Sequence, residues 1–141
     1  MIAGRQAAVV LPLDHEGRVL VIRRSPTDPW RPGYWNFPGG GVDRKDTSSR
    51  HAALRELHEE TGITVPLSSL NWAFSFRDPS LINVFWVKLH RRPRVKSLDG
   101  EHDMYAWVPF HQIPQPCLHS VRFIVEQVTG TPWNLAPMGP V

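Results

Sequence analysis

The sequence predicts one domain of α/β or α+β class, with a mixed sheet lying between helices. Three observations predict it. Short apolar runs recur between turn signals, as strands do. The stretch from Thr47 to Gly62 carries a full set of helix start and stop signals. A second stretch, residues 120–129, sets Val121, Ile124, Val125 and Val128 on one side at helical spacing. A chain of 141 residues is long enough for one real core.

Residues 7–13 (AAVVLPL) read as a buried strand, and 14–17 (DHEG) as a turn. Residues 18–24 (RVLVIRR) read as a second strand paired to the first. Residues 25–33 hold three prolines and a glycine, so they form a loop. Residues 34–37 (YWNF) make a short aromatic strand, and 38–46 (PGGGVDRKD) a glycine-rich connection. The helix is placed at 48–61. Thr47, Ser48 and Ser49 offer capping oxygens, Ala53, Leu54 and Leu57 make the apolar stripe, and Gly62 stops it. Residues 70–78 and 81–90 are strands joined at Pro79–Ser80. Residues 91–103 are a polar loop, and 104–110 a last strand. The domain core runs over about 5–129, and the Pro- and Gly-rich tail 130–141 is expected to lie over the surface.

The composition is that of a soluble globular chain, 41% hydrophobic and 21% charged, with 16 Lys+Arg against 13 Asp+Glu. This mild excess suits an anionic ligand without requiring one. Cys117 is the single cysteine, so no intrachain disulfide forms and a reducing, cytoplasmic setting is expected. Neither a signal peptide nor a membrane-spanning stretch is expected.

Glu56, Glu59 and Glu60 fall on one helical face. Like charges at those spacings destabilise a helix. No lysine interleaves them, and Arg55, adjacent to Glu56, is expected to point elsewhere on the helix. A divalent cation resolves the conflict, because Mg2+ is held by carboxylates together with substrate phosphates. The glycines feeding the helix let backbone carbonyls approach the same ion. A cation held there polarises water for attack on a phosphate anhydride.

The stretch GGGVDRKDTSSRHAALRELHEETGI resembles the Nudix box, G-x5-E-x7-R-E-U-x-E-E-x-G-U with U aliphatic. Arg55, Glu56, Leu57, Glu59, Glu60, Gly62 and Ile63 fit its second half. Counting from Gly41 places Thr47 where the first glutamate belongs. Counting from Gly40 places Asp46 there, with one extra residue before Arg55. The resemblance implies the Nudix fold, an α/β/α sandwich with a mixed central sheet. It also implies Mg2+- or Mn2+-dependent cleavage of a phosphoanhydride bond in a nucleoside diphosphate linked to another moiety. The metal ligands would be Glu56, Glu59 and Glu60, helped by a carbonyl of Gly40 or Gly41. Arg55 would hold the geometry of the box, and Glu56 and Glu59 would serve catalysis.

The general base varies among such enzymes. Glu101 in the run DGEHD is the first candidate, with Asp99 and Asp103 as rivals and Glu56 as an alternative. Arg23 or Arg24 would touch substrate phosphates, one of the two facing the cleft. Trp30 is the candidate for stacking on a base, and Asn36 or Asn83 for reading its edge, whereas Trp35, Phe37, Phe85 and Trp107 belong to the core. The basic run of residues 90–96 (HRRPRVK) suits the phosphates of an RNA 5′ end. A zinc site at His111, Cys117 and His119 lacks the paired spacing that zinc needs. Dinucleoside polyphosphates, nucleotide sugars, a non-catalytic nucleotide-sensing module and a homodimer are further expectations of the resemblance.

Overall fold

The computed structural model describes residues 5–130. The tail expected over the surface falls outside them, apart from Gly130. Seven strands form one mixed sheet. Its path runs β3 (Trp35–Asn36), β2 (Val19–Arg24), β1 (Gln6–Leu13), β6 (Leu81–Lys88) and β5 (Asn71–Arg77). Off that path, β4 (Gly39–Gly41) pairs with β1 and β7 (His102–Val108) with β2. The pairing of β1 with β6 is parallel along both strands, and the other ladders are antiparallel.

Alternation along the central strands builds a core on each face. Val19 and Val21 of β2 join Leu11, Ile82 and Val84 beneath helix α2 (His119–Thr129). Leu20 and Ile22 join Ala8, Val10, Phe85 and Val87 beneath helix α1 (Ser49–Thr61). The result is the expected sandwich of helix, sheet and helix. On α2, Val121, Ile124 and Val125 are buried, but Val128 is exposed. Trp35, Phe37 and Phe85 are core residues as expected, and Trp107 packs at the edge of the α1-side core. Among the described residues no helix is long and apolar enough to cross a membrane.

Two expectations are corrected. The connection 38–46 contains a strand, Gly39–Gly41, laid antiparallel on Ala7–Val9. A Cβ at Gly39 would sit 2.4 Å from the Ala8 carbonyl oxygen, so glycine permits the close pairing that apolar periodicity does not reveal. The last strand begins at His102 rather than Met104, because His102 pairs with Arg24 across a bulge.

Candidate metal and hydrolytic site

Local signals build the helix that carries the glutamates. The Ser48 side chain accepts a hydrogen bond from the His51 N–H, and Gly62, at φ 76°, closes the C-terminus by donating to the His58 carbonyl. Ala52, Ala53 and Leu57 bury one face. The carboxylates beside that face sit at three depths. Glu60 is 6% exposed and its Oε1 accepts the Gly39 N–H at 2.8 Å. The Glu56 side chain is 14% exposed and lies over Gly40, where a Cβ would come within 2.2 Å of Oε2. The Glu59 side chain is 45% exposed. Burial pushes the Glu60 carboxyl up to about 9, with the charge of Glu56 adding to it. Burial also raises Glu56, against the pull of Arg55.

Arg55 does not point elsewhere on the helix. Its long side chain folds back along the glutamate face, with Nη1 3.3 Å from Glu59 Oε1 and 3.4 Å from Glu56 Oε2. Its other edge grips Asp46 in two places, Nε to Oδ1 at 3.0 Å and Nη2 to Oδ2 at 2.8 Å. Nη2 also donates to the Gly41 carbonyl at 3.1 Å. One guanidinium thus ties the glycine strand to the helix. The same contact engages the Gly41 oxygen, one of the two carbonyls considered for the metal.

The segment before β7 forms the opposite wall. Lys96 N–H donates to the Thr61 carbonyl and Leu98 N–H to the Glu59 carbonyl, both at 2.9 Å, which pins this segment to the end of α1. Asp99 Oδ1 accepts from Ser97 Oγ and from the Glu101 N–H. Glu101 is exposed, and its charge helps to raise Glu60. Asp103 is bound to Arg23 through both oxygens, at 3.0 and 2.7 Å. That contact holds its carboxyl below the usual range, so it makes a poor proton acceptor.

A residue not singled out from the sequence stands at this wall. His102 is 8% exposed, and neither ring nitrogen has a hydrogen-bond partner among the described residues. A ring nitrogen lies within 4.8 Å of carboxylate oxygens of both Glu60 and Asp99. The Arg23/Arg24 bulge explains its placement. Cross-strand partners share a face, so Ile22 and, two residues on, Arg24 belong to the α1 side, and His102 is the partner of Arg24. A regular strand would have put His102 on the same side as Met104 instead.

A description of the NUDIX domain matches residues 4–125. The chain belongs to the Nudix family. A putative nudix hydrolase 7 from Caenorhabditis elegans is 36% identical over 125 residues, covering 85% of this chain and 41% of that protein. An RNA pyrophosphohydrolase from Brucella ovis is 28% identical over 125 residues, covering 72% of this chain and 70% of its own length. The crystal structure of a MutT NUDIX hydrolase from Burkholderia pseudomallei superposes with a TM-score of 0.67 at 25% identity, covering 88% of this chain and 97% of that one. The chain spans 29%, 43% and 41% of the lengths of the first curated relatives it matches.

Within this Nudix domain, Asp46 rather than Thr47 meets the box arginine, as the Gly40 count allows. The residues considered for substrate are dispersed. Arg24 donates to the Trp30 carbonyl at 2.8 Å and to Asp28 Oδ2 at 2.6 Å, and its guanidinium lies 4.9 Å from the Trp30 ring centroid. Arg23 and Arg24 are therefore both committed to ion pairs, one closing on β7 and the other folding the proline loop. Trp30 is 55% exposed and lines a groove of ≈ 590 Å³ with Tyr34, His119 and Arg122, on the α2 side of the sheet. Asn36 has a buried side-chain oxygen without a partner among the described residues. Asn83 is spent internally, donating to Gln6 and the Ala7 carbonyl and accepting from Ser75. In the basic run, Arg92 is bound to buried Asp14 at 2.8 Å.

Proposed function

We propose that this Nudix chain hydrolyses a phosphoanhydride bond in a nucleoside di- or triphosphate derivative with the help of a divalent cation. One observation carries the reading. Asp46, Glu56 and Glu59 gather on a single guanidinium, Arg55, while Glu56 lies over Gly40 and Glu60 is bound to Gly39 of the glycine strand. The excess negative charge is partly buried, and Gly40 leaves room for the Glu56 carboxylate. Hard oxygen donors on a rigid helix fit Mg2+ or Mn2+, with Glu56, Glu59 and Glu60 as its holders. When bound, the cation would neutralise phosphate charge and acidify a water.

The residues of the chain supply the rest. Arg55 fixes the helix against β4 and keeps the glutamates in register. Glu101, whose side chain makes no hydrogen bond or ion pair among the described residues, stands at the rim as the proton acceptor, since Asp103 is tied to Arg23 and Asp99 to its own turn. Trp30 offers a ring to a base.

An RNA 5′ end is the second substrate reading. It is supported by the likeness to RNA pyrophosphohydrolases and by the basic residues flanking Arg92. The purified protein should be incubated with nucleoside triphosphates, dinucleoside polyphosphates, nucleotide sugars and 5′-triphosphorylated RNA, with and without Mg2+. Phosphate and pyrophosphate release is then measured. Metal-dependent turnover of one class is the expected result. Binding without turnover across the panel would replace the hydrolase by a nucleotide sensor.

A further inference from the structure

We infer that Glu60, Asp99 and His102 form a mixed oxygen–nitrogen site for a divalent transition metal such as Mn2+. The inference deepens the proposed function by adding a nitrogen donor that no glutamate of the box supplies. It shares Glu60 with the box and uses two residues from the opposite wall.

Geometry carries it. Donor atoms of the three residues lie within 4.8 Å of one another. Two donors about 2.1 Å from one ion are roughly 3 Å apart at a right angle and about 4.2 Å apart across it. The upper bound of 4.8 Å on the observed separations lies close to that span, within reach of a small side-chain adjustment. No direct hydrogen bond forms between His102 and either carboxylate. Two of the three, Glu60 and His102, line a cavity of ≈ 200 Å³ together with Lys96 and Ser97. Lys96 makes no ion pair with Glu60 among the described residues.

His102 is the independent sign of a ligand. A buried imidazole has one donor and one acceptor nitrogen to satisfy, and burying both unpaired is costly. The bulge in β7 aims His102 at Glu60 where a regular strand would not. Imidazole also discriminates among cations. It suits Mn2+, Co2+ and Zn2+ better than Mg2+, which prefers oxygen ligands and holds its water.

The test uses the full chain, stripped with chelator and titrated with Mn2+ under electron paramagnetic resonance. Pulsed measurements read hyperfine coupling to imidazole nitrogen. The expected result is bound Mn2+ with one such coupling. His102→Gln should abolish the coupling and weaken Mn2+ at least about tenfold, while Mg2+ affinity moves less than about threefold. Circular dichroism checks that the variant folds. Asp99→Asn, in the exposed loop, provides a second reading: weaker Mn2+ with the nitrogen coupling retained. Bound Mn2+ without nitrogen coupling, or no Mn2+ binding at all, overturns the site. The first of these results leaves the hydrolase reading intact. Nitrogen-coupled Mn2+ in a protein that turns over nothing would reject the hydrolase and keep the site.

Discussion

Arg55 and Asp46, nine residues apart, meet through two hydrogen bonds of 3.0 and 2.8 Å, and the Asp46 side chain is only 5% exposed. This clamp joins the loop after the glycine strand to the glutamate helix. The guanidinium holds the Asp46 carboxyl below its usual range. Replacing Asp46 with Asn keeps the shape but removes the charge that Arg55 opposes. We expect Asp46→Asn to lose about 1–3 kcal/mol in urea unfolding and to lower turnover. Thr47→Ala should stay within about 0.5 kcal/mol of the parent. Equal losses in the two variants would mean that the clamp is not what orders the loop.

The three glycines of β4 are not equivalent. An added Cβ meets the Ala8 backbone at Gly39, the Glu56 carboxylate at Gly40, and nothing within 4 Å at Gly41. Gly39→Ala is therefore expected to destabilise the fold by about 1–3 kcal/mol. Gly40→Ala should preserve most stability and weaken Mg2+ binding, by displacing Glu56. Gly41→Ala should do neither. Calorimetric Mg2+ titration beside thermal melts separates the three, and a metal loss shared equally by Gly40→Ala and Gly41→Ala would sink this assignment.

Glu60 makes the metal-free protein sensitive to pH. Its carboxyl is pushed up to about 9, so above the unfolded value of 4.5 the folded state holds a proton that the unfolded state releases. Stability then falls as pH rises, from the unfolded value up to the folded one. Glu60→Gln keeps an acceptor for the Gly39 N–H and removes the buried charge. In chelator, it should be more stable than the parent by on the order of 2 kcal/mol at pH 9, with the gain fading towards pH 4.5. Protons and metal compete for this carboxylate, so Mg2+ affinity in the parent should climb over the same range. A flat difference between parent and variant across pH would contradict the burial argument.

Glu59 is the most exposed of the helix carboxylates, and so the cleanest probe of chemistry apart from folding. Glu59→Gln should change stability by less than about 0.5 kcal/mol while turnover drops by at least about a hundredfold. Nucleotide affinity should persist. Parent-like turnover in this variant would remove Glu59 from the metal site.

The α1 helix and its glutamates were legible because their causes are local. Ser48 caps within three residues, Gly62 turns within one, and Glu56, Glu59 and Glu60 share a face by helical pitch alone. Strands β1, β2, β5 and β6 announced themselves by apolar runs, each within two residues of its observed ends. Local pattern thus determined these elements, a mixed sheet between helices, and the carboxylate face. Tertiary structure decided the rest. Whether Asp46 or Thr47 faces Arg55 depends on how the loop from Gly41 packs on α1. Arg23 and Arg24 lie side by side at the end of β2, but their ion-pair partners Asp103 and Asp28 come from another strand and a proline loop. His102 faces Glu60 only because one extra residue in β7, opposite Arg23 and Arg24, reverses the alternation. A period of two residues can be read along a chain, but a bulge is set by the partner strand, and that partner is 78 residues away for the pair Arg24 and His102.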